Sequence, residues 1–212
     1  MRTLVIGGHA RKVGKTAVLC GLLRGLEPLG WTAVKITLHG HETPSHARRE
    51  FSAGTDELPF GLTEETDPRG HGDTCRLLAA GARRALGLHV REGHLAQAIS
   101  VLIKALGNDE RVMIESNSVL DFLEPSLYLL VLDSSNSDFK ASARRFLARA
   151  DVLVAVGPRF HPDAWPGIDP SVVEGKPVFS VAAPDYFSDD LCRFVRARVL
   201  HCGPGLPLPP RA

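Results

Sequence analysis

Between its first apolar run and its first long amphipathic stretch the chain reads Gly7-Gly8-His9-Ala10-Arg11-Lys12-Val13-Gly14-Lys15-Thr16-Ala17. A glycine-rich loop closing on Gly-Lys-Thr brings together backbone N–H groups, one cation and one hydroxyl. That is the donor set which holds a chain of phosphates beside a helix N-terminus. Lys15 would reach the β- and γ-phosphates as a point charge, the Thr16 hydroxyl would ligate Mg²⁺, and Gly14 would let the backbone come close. The expected nucleotide-binding positions are therefore Gly8, His9, Arg11, Lys12, Val13, Gly14, Lys15, Thr16 and Ala17. A strict GxxxxGK[ST] pattern needs glycine where this chain has His9, so the loop counted from Gly8 is one residue longer. The plainer alternative, a Gly-Lys-Thr that only caps a helix, does not account for the strand and paired glycines in front of it.

Four more residues could complete such a site. Lys35 stands among apolar neighbours in Thr32-Ala-Val-Lys-Ile-Thr-Leu. There it either faces water on an edge strand or meets a phosphate, as a second catalytic cation beside Lys15. Asp73 opens a helical stretch, where it can cap the helix or face a metal. Glu115 ends the apolar run Val112-Met-Ile-Glu and precedes the polar turn Ser116-Asn117-Ser118, a position suited to a metal-holding or water-orienting acid. Thr16, Asp73 and Glu115 would give three oxygen ligands to an octahedral Mg²⁺, with Asp133 at the end of Leu-Val-Leu-Asp as the rival acid. His39, His41, His46 and His71 crowd one segment and are either polar loop residues or imidazole ligands for zinc or nickel. Trp165-Pro-Gly reads as a turn anchored by a buried ring, with base stacking as a second option.

The elements that must position these residues follow from apolar periodicity. Strands are expected at Leu4–Ile6, Thr32–Leu38, Arg111–Ile114, Leu127–Leu132, Val152–Val156 and Pro177–Ala182. Helices are expected over Lys15–Leu29, Asp73–Leu86, Leu95–Leu106, Asp138–Arg149 and Asp189–Val199. Residues 39–72 lose all periodicity and read as an irregular insert, and 203–212 as a disordered tail. Continuous apolar strands alternating with helices predict an α/β domain over 1–202, with a mostly parallel sheet covered on both faces and its functional residues at the strands' carboxyl ends.

Composition narrows the class. The 212 residues carry 25 Lys+Arg against 24 Asp+Glu, a formal charge of +1, which removes the excess of cations that wholesale nucleic-acid binding demands. Cys20, Cys75, Cys192 and Cys202 lack CxxC spacing, so a reducing cytoplasm is expected rather than a disulfide framework. No apolar run approaches a membrane span or a signal-peptide core.

The spacing Gly-x5-Gly-Lys-Thr resembles the loop of dethiobiotin synthetases. A longer series of motifs resembles the molybdopterin-guanine-dinucleotide adaptor (MobB-like) family: Val34-Lys35 followed by His39-Gly40-His41, then Asp73-Thr74, then Ala80-Gly81-Ala82. Glu115 with its turn resembles the Val-Glu-Gly turn of both families, and the resemblance covers roughly the first 120 residues. It implies a three-layer αβα P-loop NTPase fold, Mg²⁺ as cofactor, GTP or ATP as ligand, and slow hydrolysis by an adaptor that works with a separate cofactor-biosynthesis protein. Two alternatives stay open at this point: an ATP-dependent carboxylase or ligase similar to dethiobiotin synthetase, and a nucleotide-dependent metallochaperone or switch. A homodimer is open alongside each of these. The signature lysine of the partitioning ATPases would fall at position 10, which is Ala10.

Overall fold

The computed structural model describes residues 1–39, 58–157 and 160–201. The apolar run Leu4-Val5-Ile6 lies in β1 (Arg2–Gly8), an inner strand of a sheet that has eight strands among the described residues. The others are β2 (Thr32–His39), β3 (Phe60–Glu64), β4 (Arg84–Arg91), β5 (Arg111–Glu115), β6 (Leu127–Leu132), β7 (Val152–Val156) and β8 (Val178–Val181). Their order is β3-β4-β2-β5-β1-β6-β7-β8, and every ladder is parallel except the antiparallel β3–β4 pair at one edge.

Side chains alternate along a strand, so β1 sends Leu4 and Ile6 to one core and Val5 to the other. Helices α1 (Lys15–Gly25), α2 (Asp73–Ala79) and α5 (Asp189–His201) cover the first face, and α3 (Leu95–Leu106) and α4 (Ala141–Phe146) the second. The result is a three-layer αβα sandwich, as expected. Helix α3 shows how the pattern works: Leu95, Ala98, Ile99, Leu102 and Leu106 recur at helical spacing and are buried, each large one contributing ~1.5–3 kcal/mol. The strands β1 and β6 are neighbours, yet α1 and α4 that follow them lie on opposite faces, which opens a crevice at their carboxyl ends.

Four expectations are corrected. The helix expected over Lys15–Leu29 stops at Gly25 and resumes as a 3₁₀ turn, Glu27–Leu29, because Pro28 brings no N–H; Gly30, at φ 65°, then reverses the chain. The helix expected to run to Leu86 ends at Ala79. Gly81, at φ 97°, donates to the Leu78 carbonyl and Ala82 to that of Leu77, a Schellman closure, and the chain then enters β4. The insert expected to be irregular throughout contains β3, and its residues 40–57 lie outside the described residues. The helix expected from Asp138 starts only at Ala141 and finishes as a 3₁₀ turn, Leu147–Arg149. Residues before it are held to the phosphate-loop segment, with Lys140 N–H donating to the His9 carbonyl at 2.8 Å.

The tail 203–212 lies outside the described residues. Cys20, Cys75 and Cys192 are free and buried. No described helix is long and apolar enough to cross a membrane.

Candidate functional site

The loop between β1 and α1 is shaped by backbone that few side chains tolerate. Gly14 caps α1 in the left-handed region at φ 88°, where a Cβ would also sit 2.7 Å from the Tyr186 ring. Lys12 takes φ 60° without a glycine's freedom. The loop's base is clamped by Asn117, which accepts from Gly8 N–H at 2.9 Å and donates to the Gly8 carbonyl at 3.0 Å. No side chain caps α1, and the Thr16 hydroxyl instead donates to Glu115 Oε2 at 2.7 Å, so capping is not what this sequence does.

Lys35 sits at the centre of what the strands bring together. Its ammonium donates to Glu115 Oε1 at 2.6 Å and to Thr16 Oγ1 at 3.1 Å, and pairs with Asp73 Oδ2 at 3.0 Å. Thr16, Lys35, Asp73 and Glu115, separated by up to 99 positions in sequence, thus meet at one point beside the loop. Burial alone would lower the Lys35 ammonium, but the charges and hydrogen bonds of Glu115 and Asp73 hold its pKa above the ordinary lysine value. Burial works against the Asp73 carboxylate too, and Lys35 with Arg76 overcomes it to leave that pKa below normal. Lys15 is in a different position: burial lowers its pKa, Glu115 only partly opposes this, and its ammonium reaches the Ala10 carbonyl at 3.4 Å.

The donor set fits Mg²⁺. Hydroxyl and carboxylate oxygens of Thr16, Glu115 and Asp73 converge within 3.1 Å of a single positive charge, and Mg²⁺ needs only one or two protein carboxylates when phosphates and water fill the rest. Among the described residues no group of three or more His, Cys, Asp or Glu could hold a metal ion. Asp73 is the first residue of α2 rather than its cap, which is Gly72, so the carboxylate makes ion pairs instead of a capping bond.

Other expected residues lie elsewhere. The His9 ring is fully buried: Nε2 accepts from Asp133 N–H at 3.0 Å and Nδ1 meets the Asp138 carbonyl at 2.7 Å. It ties two loops together and has no ring nitrogen left for a phosphate. Val13 is buried in the core, while Arg11 and Lys12 are exposed on the loop and Ala17 lies in the first turn of α1. Asp133 folds into a turn, its Oδ1 accepting from Ser135 N–H and Oγ at 3.0 and 2.6 Å. Trp165 is buried against His9 and Phe139 and donates to the Asn136 carbonyl at 2.8 Å, which leaves no face for a base. His39 pairs with His89 at 3.1 Å, His71 is exposed, and His41 and His46 lie outside the described residues.

Three contributors escape a reading of the sequence. Asn117 looks there like one residue of a polar turn. Glu65 directly follows β3 and organises the start of α2, with Oε2 accepting from Thr74 Oγ1 at 2.9 Å and Cys75 Sγ at 3.0 Å. These bonds, the Cys75 one foremost, pull its pKa down to about 2. Lys140 looks like part of an exposed helix face, whereas it is half-buried beside the loop; the one cue is its place directly after a strand-end turn.

No family model and no curated protein matches the sequence. Among solved structures, HypB from Helicobacter pylori in complex with nickel aligns over 93% of this chain and 86% of its own, with 13% identity and a TM-score of 0.50. The "apo" form of LpxK from Aquifex aeolicus in complex with ATP aligns over 85% of this chain and 53% of its own, with 14% identity and a TM-score of 0.49. The likeness is one of fold: a three-layer αβα sandwich around a mostly parallel sheet.

Proposed function

We propose that the chain binds a Mg²⁺-nucleoside triphosphate on the loop Gly8–Ala17 and hydrolyses it slowly, as a nucleotide-dependent adaptor in molybdenum cofactor guanine-dinucleotide assembly. The observation that carries the nucleotide reading is the meeting of Thr16, Asp73 and Glu115 on Lys35 beside a loop whose cap is a left-handed glycine. Loop N–H groups and the first turn of α1 would orient the phosphates, and Lys15, left short of counter-charge by burial, gains one from them. Lys35 would hold a second positive charge against the transferring phosphoryl oxygens. Thr16, Asp73 and Glu115 are the residues that would hold Mg²⁺, which when bound neutralises phosphate charge.

The adaptor role rests on the ordered motifs Lys35, Asp73-Thr74, Ala80-Gly81-Ala82 and Glu115. It carries with it a separate cofactor-biosynthesis partner and a guanine nucleotide. The proposal is tested by calorimetric titration of the full chain with GTP and with ATP, each with and without Mg²⁺, for the parent and Lys15→Ala. Expected are Mg²⁺-dependent binding, a GTP preference, and a loss of roughly 10- to 100-fold in Lys15→Ala, the value of a charged hydrogen bond. An ATP preference would replace the adaptor with the carboxylase-like reading, and a folded protein that binds neither nucleotide would overturn the assignment.

A further inference from the structure

A second cationic feature lies on the other side of β1 from Glu115. In the crevice between β1 and β6, Ala10 and Arg11 from one loop and Asp138, Phe139 and Lys140 from the other line a cavity of about 290 Å³. Crevices of this kind, where neighbouring strands send their helices to opposite faces, are where open α/β sheets take ligands. The volume is at the small end for a ligand site and is matched by a compact molecule or one charged group of a larger one.

Its walls are set in advance. The buried His9 ring spans them through the Asp133 N–H and the Asp138 carbonyl, and the Lys140 N–H donates to the His9 carbonyl at 2.8 Å. Lys140 itself is half-buried, and among the described residues its ammonium has no hydrogen bond and no ion pair. Burial, followed by repulsion from Lys15 and Arg11, brings its pKa down to about 8. The contrast with Lys35 is direct: one lysine touches two carboxylates, whereas the other has Lys15 and Arg11 as its strongest charged neighbours, ahead of the attraction of Glu115. A cation held this way is costly unless an anion joins it.

We infer that this crevice is a second anion subsite, in which Lys140 and Arg11 hold the carboxylate or phosphate group of a small second substrate next to the phosphate loop. The subsite's place in a reaction rests on the nucleotide reading above, while its anion affinity does not. The crevice lies on the β6 flank of β1, and Glu115 stands on the β5 flank; that the anion and the triphosphate are held together is part of the inference, which the loaded titration below tests.

The test uses the full chain first saturated with a non-hydrolysable triphosphate and Mg²⁺, then titrated by calorimetry with inorganic phosphate and, separately, with malonate. The parent is expected to bind at least one probe, and the probe that binds more tightly tells phosphate from carboxylate. Lys140→Ala should weaken that probe tenfold or more while leaving the triphosphate within about twofold, and Lys140→Arg should restore it. A loaded parent that binds neither probe overturns the inference. So does a tenfold loss of triphosphate affinity in Lys140→Ala, which would make Lys140 part of the nucleotide site. If the parent binds no triphosphate, the nucleotide reading fails by itself, and the same probes on the unloaded chain still decide: loss in Lys140→Ala but not in Lys15→Ala upholds the subsite, and the reverse pattern overturns it.

Discussion

Lys35 and Glu115 are register partners across the β2–β5 ladder, and their side chains meet at 2.6 Å. Partners in a parallel ladder project to the same face, so a cation and an anion placed near the carboxyl ends of two adjacent strands must find each other. Glu115 is only 2% exposed and cannot turn to water, whereas Lys35 at 21% retains some. The pair thus holds the carboxylate ready in the position where the metal reading needs it.

Removing the cation exposes that dependence. Lys35→Met leaves the buried Glu115 without its ion-pair partner and Asp73 with Arg76 alone, and breaking such a pair costs ~3–5 kcal/mol, here toward the lower end because Lys35 is partly solvated. Mg²⁺ alone, without nucleotide, should then stabilise the variant more than the parent. Thermal melts with and without Mg²⁺ check this, and an equal response in both proteins would argue that the three oxygens do not hold the ion.

The two rival acids are separable. Glu115→Gln keeps the shape but halves the carboxylate supply at Thr16, while Asp133→Asn alters a turn whose acceptor role an amide oxygen can keep. The Mg²⁺ dependence of triphosphate binding should weaken by tenfold or more in Glu115→Gln and stay within about threefold in Asp133→Asn. The opposite ranking would move the metal acid to β6.

At the other end of the sheet a purely structural network gives a control. Asp109 is buried and accepts from Thr32 Oγ1 and Arg84 Nη1, each at 2.8 Å, and it also pairs with Arg83, joining β2, β4 and the turn before β5. Asp109→Ala strands these donors and should cost about 3–5 kcal/mol of stability. Triphosphate affinity, measured below the lowered melting temperature, should be unchanged. A selective loss of affinity would mean that the network reaches the site.

What could be read from sequence was set by how local the signal is. Gly14-Lys15-Thr16 and the strand-end Glu115 announce themselves by type and position, and so do buried strands such as Leu127–Leu132. Strand β4 does not, because Arg84, Gly87 and His89 dilute its apolar pattern and the helical pattern before it runs on into it; Gly81 is the available stop signal. The roles of Asn117, Glu65 and Lys140 depend on partners 109, 10 and 131 positions away, Gly8, Cys75 and His9, and no window along the chain contains the first or last of these pairs. His9 shows the same limit, since its loop position suggests a phosphate whereas its distant partners Asp133 and Asp138 engage both ring nitrogens.

That arrangement makes His9 a source of pH dependence. Its Nε2 accepts from the Asp133 N–H, so the folded state needs the neutral ring, and burial first of all lowers its pKa below the ordinary 6.5. Between the folded value and 6.5 the unfolded chain binds a proton that the folded chain refuses, so stability rises with pH through that window and is lost as pH falls below 6.5. Melting temperatures should therefore fall more steeply from pH 7 to pH 5 in the parent than in His9→Gln, which has no titrating ring. Because the same ring spans the walls of the β1–β6 crevice, the variant should also weaken phosphate or malonate binding there at pH 7, where the parent ring is neutral. Parallel pH profiles in the two proteins would show that some other group carries the acid sensitivity, and intact anion binding in the variant would show that the crevice keeps its shape without the ring.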